Sequence, residues 1–183
     1  MYHRAVSRST LTIIRNYLGR DFTLRTHRRT FSRTSGTLKE STISAKKTNE
    51  EWRKTLSPQR YHILREKGTE VRGTGLYNEH NETGVYLCAA CHSRLYESSH
   101  KFSSGCGWPA FYDSVPGAVN RNLDTSFGRI RTEITCSNCD SHLGHVFQGE
   151  GYNYTPADER HCVNSLSLKF ERPDGSVDDS EDK

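Results

Sequence analysis

No apolar run in this 183-residue chain approaches the ~20 residues that a membrane-spanning helix needs. A spanning helix is therefore excluded. Acidic residues are nearly missing from positions 1–36, which hold eight Arg, one acid (Asp21) and no Lys, a net +7. That stretch also lacks a secretory-type apolar h-region, which argues against export. Without export, the six cysteines are poorly read as the three disulfides of a secreted scaffold. Apolar residues are themselves scarce, at 32% of the chain, so a thin core would gain from a metal staple.

What is present is unevenly placed. Residues 37–183 hold 18 basic and 21 acidic groups, a net −3, so the formal charge of +4 belongs to the leader. Within the leader, Leu11, Ile14, Leu18 and Phe22 form one helical stripe flanked by Arg4, Arg8 and Arg15. Rich in Arg, Ser and Thr, residues 1–36 are expected to be a mitochondrial transit peptide that addresses the protein to the matrix. Arg29-Thr30-Phe31-Ser32 resembles a matrix-protease context. The alternative is a basic arm for nucleic acid or membrane. The acidic balance of the body disfavours it.

Residues 37–47 read as a polar linker. Thr48 or Asn49 can cap a short helix carrying Trp52 and Leu56 on one face, and Ser57-Pro58 restarts a helix that Gly68 ends. Beyond it, short β-prone runs at 84–87, 127–131 and 163–170 are punctuated by Gly, Pro, Asn and Asp. They predict a mainly β domain over 48–172. The acidic segment 173–183 is expected to be disordered.

Four cysteines fall in two matched pairs, Cys88-x-x-Cys91 and Cys136-x-x-Cys139. Two such knuckles can give one tetrahedral zinc four thiolates and pin two distant hairpins together. A thioredoxin-like redox role for either pair would require an α/β context that is absent here.

Cys106 and Cys162 belong to neither pair. Read as one strand of period two, residues 160–170 put Arg160, Cys162, Asn164, Leu166, Leu168 and Phe170 on one face. A cation beside a thiol favours the nucleophilic thiolate, although an isolated strand cysteine is often buried and inert. Cys106 lies between Gly105 and Gly107, whose backbone freedom lets it swing towards a partner. Trp108 and Phe111 offer flat apolar surface, with Phe111 better read as core. His142 and His145 add two imidazoles able to move protons near neutral pH.

These segments resemble a known family. The two knuckles, Ser104-Gly105-Cys106-Gly107-Trp108-Pro109, Gly144-His145-Val146-Phe147 and Arg160-His161-Cys162-Val163-Asn164-Ser165 look like the methionine-R-sulfoxide reductases of the B type. The agreement runs from about Thr48 to Phe170. The resemblance implies two small antiparallel sheets with short N-terminal helices, stapled by one structural zinc on the four thiolates of Cys88, Cys91, Cys136 and Cys139. It also implies reduction of the R epimer of methionine sulfoxide in oxidised proteins. On the family pattern Cys162 is the nucleophile and Cys106 resolves its sulfenic acid to a disulfide that thioredoxin reduces. Trp108 and Phe147 would meet the substrate, His142, His145 and Asn164 would serve the sulfoxide oxygen, and Arg160 would support the thiolate. A monomer with no nucleic-acid partner and no membrane insertion is expected.

Two departures stand out. Gln148-Gly149-Glu150-Gly151 replaces an Asp-Gly-Pro-like turn, leaving Glu150 as the stand-in carboxylate, and Ala110 replaces a Ser. Met1 is the one methionine. The rival readings are a zinc-ribbon binding module and a general disulfide or peroxide reductase. The second leaves Trp108 and the paired histidines unexplained.

Overall fold

Thr48 closes a reciprocal cap: its hydroxyl accepts the Glu51 N–H at 3.3 Å, and the Glu51 carboxylate accepts the Thr48 N–H at 2.7 Å. Two orphan donors are satisfied at once, a contribution of roughly 1 kcal/mol. Helix α1 (Asn49–Thr55) then carries Glu50 and Glu51 in its first turn and Arg53 and Lys54 in its last, each favourable to the helix dipole. It buries Trp52. Ser57 caps α2 (Pro58–Glu66), with Pro58 in the first turn where its missing N–H is harmless. The closing left-handed residue is Lys67 (φ 59°), one position before the expected Gly68.

The computed structural model describes residues 47–152 and 155–178. The expected transit peptide, the linker apart from Lys47, and residues 179–183 lie outside the described residues.

Among the described residues ten strands follow the helices: β1 (Val85–Cys88), β2 (Arg94–Glu97), β3 (Lys101–Phe102), β4 (Ala110–Phe111), β5 (Val119–Asp124), β6 (Arg131–Cys136), β7 (His142–Gln148), β8 (Glu159–Val163), β9 (Leu168–Glu171) and β10 (Val177–Asp178). They form two antiparallel sheets, ordered β10-β9-β1-β2 and β3-β4-β8-β7-β6-β5. The mainly β architecture with two short helices agrees with the sequence reading. The core lies where the sheets meet. Phe111 of the larger sheet stacks on Tyr96 at 4.2 Å between ring centroids and meets Tyr86 edge-on at 5.0 Å, while Tyr86 packs on Phe170 at 5.0 Å. Such offset and edge contacts add about 0.5–1.5 kcal/mol each beyond burial.

Three local expectations are corrected. Residues 127–131 do not form a strand. Asp124 accepts the Ser126 N–H at 2.9 Å and turns the chain, Phe127 sits at φ 55°, and β6 begins only at Arg131. Residues 160–170 are not one strand either. β8 ends at Val163, a single turn at Ser165–Ser167 carries the chain to the other sheet, and β9 begins there. The cause is Glu70, whose carboxylate accepts the Ser165 and Leu166 N–H groups at 2.6 and 3.0 Å and so fixes a corner. The start of the expected disordered tail is ordered. Asp174 accepts the Ser176 N–H, Gly175 supplies φ 83°, and Val177 and Asp178 pair with Glu171 and Phe170.

Candidate active site

Cys162 lies in β8 between two neighbours, paired with Ala110 of β4 and His145 of β7. Period-two alternation puts Arg160 on the same face and turns His161 inward, where it is buried against Tyr96 at 3.2 Å. β7 can approach this closely because residue 144 is glycine. A Cβ there would collide with the Cys162 carbonyl.

Cys106 reaches this point from the loop between β3 and β4. Gly105 and Gly107 both adopt left-handed backbone (φ 71° and 93°), which few other residues tolerate. The loop is braced where Arg72 donates to the Gly105 carbonyl at 3.0 Å and the Gly73 N–H donates to the Gly107 carbonyl at 2.8 Å. The Cys106 and Cys162 sulfurs are 3.6 Å apart. The structure therefore brings together the two cysteines left over from the knuckles.

Cys162 opens onto a cavity of about 130 Å³ with walls from Trp108, Phe147, His145, Arg131, Thr69 and Asn164. The Trp108 indole N–H donates to the Glu70 carbonyl at 3.2 Å, fixing the ring as a wall. His145 is oriented by Asp124, its Nε2 2.8 Å from the carboxylate, which also binds Arg131 at 2.8 Å. A carboxylate only accepts, so His145 carries its proton on Nε2. The Ser126 backbone N–H and hydroxyl, then His145, hold Asp124 below the usual carboxylate range.

Not every expected residue lines the cavity. His142 lies behind it, 3% exposed, and its Nδ1–H donates to Glu133 at 2.7 Å. Burial pushes its pKa down against the pull of Glu133. Asn164 borders the cavity, but its amide is engaged: Oδ1 accepts the Glu70 N–H at 3.1 Å and Nδ2 donates to the Leu143 carbonyl at 3.0 Å. Glu150 makes a two-pronged pair with Arg160, both contacts at 2.7 Å, and Arg160 also lies 4.5 Å over the Phe147 ring. The departing turn thus provides the partner of the guanidinium.

The thiols titrate as a pair. The hydrogen bond with Cys162, helped by Ser104, the Trp108 backbone and Arg160, holds Cys106 down to about 5 against the effect of burial. The same hydrogen bond, then burial, pushes Cys162 up, and Arg160 pulls it down. In this closed arrangement the sulfur contact opposes the thiolate at Cys162 and favours it at Cys106. Thr69, Glu70, Asp124, Arg131 and Glu133 were missed from sequence, where nothing distinguishes them from other loop and strand polar residues.

The knuckles assemble separately. The four sulfurs of Cys88, Cys91, Cys136 and Cys139 lie within 4.8 Å of one another, with Cys88–Cys139 at 3.7 Å and Cys91–Cys136 at 3.6 Å. A tetrahedral ion bonded to each sulfur at ~2.3 Å would set them about 3.8 Å apart, so the donor set fits a metal ion. The two turns are copies of each other. His92 and Asp140 are left-handed (φ 60° and 57°), and their N–H groups donate to the Cys88 and Cys136 carbonyls at 2.8 and 2.9 Å. None of the four cysteines lines the cavity.

Two thiols this close, one of them facing a hollow, form the working centre of a dithiol oxidoreductase. Comparison with known proteins narrows the class. The SelR domain family matches residues 56–172. Peptide methionine sulfoxide reductase B5 of Arabidopsis thaliana is 58% identical over 130 residues, covering 71% of this chain and 91% of its own length. Peptide methionine sulfoxide reductase B5 of Oryza sativa subsp. japonica is 60% identical, covering 68% and 89%. The chain therefore belongs to the SelR-domain family of B-type peptide methionine sulfoxide reductases. The crystal structure of the Mis18 'Yippee-like' domain matches at 17% identity and TM-score 0.39, over 50% of this chain and 97% of its own, too low a likeness to carry a conclusion.

Proposed function

We propose that the chain reduces the R epimer of methionine sulfoxide in oxidised proteins, with Cys162 as nucleophile and Cys106 as resolving thiol. The observation that carries this reading is the 3.6 Å sulfur pair at the mouth of an aromatic-walled cavity. When the Cys106 loop swings away, Cys162 loses the contact that holds its proton and keeps Arg160, which favours thiolate. The sulfoxide's methyl group lies against Trp108 and Phe147. Cys162 attacks the sulfoxide sulfur and the oxygen takes a proton from Nδ1 of His145 in its imidazolium form, while Nε2–H stays on Asp124. The substrate's S–O bond breaks as the protonated oxygen passes to the Cys162 sulfur, which becomes a sulfenic acid, and methionine leaves with its own sulfur as the thioether. Cys106 then attacks that sulfur, forming the disulfide and expelling the oxygen as water. Thioredoxin restores both thiols by exchange. His142 and Asn164 hold β7 and the corner after β8 in place.

The four knuckle cysteines would hold one structural zinc, which supplies cross-linking and no step of the reaction. The arginine-rich stretch before residue 37 supports delivery to the mitochondrial matrix, and the protein acts as a monomer.

The test resolves a racemic methionine sulfoxide peptide by chiral chromatography after incubation with the purified chain. With dithiothreitol, loss of the R epimer alone is expected, abolished by Cys162→Ser. Cys106→Ser is expected to lose turnover with thioredoxin and keep it with dithiothreitol. Peroxide consumption without epimer-selective loss would overturn the assignment in favour of a general thiol reductase.

A further inference from the structure

A second hollow of about 560 Å³ adjoins the thiol cavity and shares Thr69, Arg131 and His145 with it. The two differ in size and lining. The thiol cavity, at about 130 Å³, admits the end of one side chain. The second lies in the size range of whole ligand sites, so it suits whatever that side chain is attached to. Its outer wall is the tip of the β5–β6 hairpin, with Leu123 and Phe127.

That tip is unusual in two respects. Leu123, Phe127 and Ile130 are 75%, 94% and 83% exposed. Single exposed apolar residues are ordinary, but three within eight positions beside a cavity mark a contact surface. Phe127 also holds left-handed backbone at φ 55°, a conformation that disfavours a bulky residue and here turns the ring outward.

The inner wall mixes Lys67 and Arg131 with Glu66, Asp124 and Glu133, beside the hydroxyls of Thr125 and Ser126. Lys67 is paired with Glu133 and Arg131 with Asp124, each at 2.8 Å, so the wall gives no purchase to an anionic polymer. The remaining N–H donors, carboxylate lone pairs and hydroxyls can meet amide C=O and N–H groups.

We propose that this hollow takes the main chain of an oxidised protein substrate: an extended segment with an apolar residue next to the oxidised methionine, packed against Leu123 and Phe127. The inference rests on the reductase reading and deepens it. It adds selectivity for an apolar neighbour of the oxidised methionine, because a polar one would leave the rim of Leu123 and Phe127 unfilled.

The experiment compares two R-sulfoxide substrates under dithiothreitol: N-acetyl-methionine sulfoxide methylamide, and a pentapeptide with Phe next to methionine sulfoxide. The full chain is assayed as wild type, Leu123→Ser/Phe127→Ser and Phe127→Tyr. Exposed positions tolerate such changes without unfolding the protein. Wild type is expected to have the lower KM for the pentapeptide. The double variant should raise that KM about tenfold, in line with one lost large apolar contact, with kcat unchanged. The small amide should be unaffected, and Phe127→Tyr should behave as wild type. Equal KM values in wild type, or parallel changes on both substrates, would overturn the groove while leaving the reductase intact. Failure of wild type on both substrates would overturn the reductase reading and the groove with it.

Discussion

Arg160 is a charge with two obligations, and their balance sets the reactivity of Cys162. Its guanidinium is bound in two places by Glu150, which raises its own pKa further, and it lowers that of the Cys162 thiol. Cys106 acts on the same thiol with the opposite sign, since its hydrogen bond is the first cause of the upward shift. Two substitutions separate these effects. Replacing Cys106 by Ser should shift the alkylation of Cys162 by iodoacetamide to lower pH, because the group that holds the proton in place is gone. Adding Arg160→Ala in that background should shift it back to higher pH, because the thiolate loses its cation. Rates followed from pH 5 to 10 would show the inflection (the range brackets an ordinary thiol). Superimposable profiles for the two variants would remove Arg160 from the thiolate's environment. The role of Arg160 was legible in sequence because period two alone puts it beside Cys162. Its partner Glu150 was considered for the reaction itself, because sequence cannot show that the turn after β7 folds back on β8.

The catalytic strand is positioned by an element that carries no regular structure, the loop around Glu70. Its carboxylate caps the Ser165–Ser167 turn, its carbonyl accepts the Trp108 indole, and its N–H donates to Asn164. Glu70→Ala should therefore leave two backbone N–H groups at the sheet-to-sheet corner unpaired and cost about 1–3 kcal/mol each if they stay dry. Urea denaturation should show the loss, with kcat/KM falling further as Trp108 loses its wall position. Gly144→Ala tests the opposite contact. A methyl group between β7 and the Cys162 carbonyl overpacks the strand pair by roughly 1–3 kcal/mol, and Cys106–Cys162 disulfide formation should slow under mild oxidation as the sulfurs are pushed apart. An unchanged midpoint and unchanged oxidation rate would show that the strands yield freely there. The same corner explains where sequence reading stopped. The knuckles, the capped helices and the β-rich body were readable because each rests on short-range spacing. The break after Val163 was not, because it depends on a carboxylate 95 positions earlier in the chain. Leu168 and Phe170 are both buried in β9 of the smaller sheet, so their spacing continues that of 160–164 across the break and reads as one strand.

At the scale of the whole molecule the two sheets are joined by aromatic packing and by the four-cysteine cluster. Cys88 ends β1 in the smaller sheet and Cys136 ends β6 in the larger one, so an ion held by both knuckles is a cross-link between sheets. The knuckles are further tied where Asn138 donates to Ser93 at 3.0 Å and Arg65 of α2 donates to the Cys139 carbonyl at 3.1 Å. These bonds are too few to replace a metal whose binding is worth about 10–16 kcal/mol in small zinc domains, a quantity comparable to a domain's total stability of about 5–15 kcal/mol. Much of that binding energy is spent in holding four thiolates together, so the net loss on removal is smaller than the gross figure. Stripping the metal with a chelator in mild denaturant should lower Tm by roughly 10 °C or more, the equivalent of a few kcal/mol for a domain of this size. Below the new midpoint, turnover per folded molecule should persist with dithiothreitol, because no knuckle cysteine lines the cavity. Cys91→Ser offers the same loss without chelator. Metal content, circular dichroism melts and turnover on one preparation decide the matter: activity lost in step with metal while the fold remains would place the ion in the reaction, and an unshifted melt would deny it the cross-link.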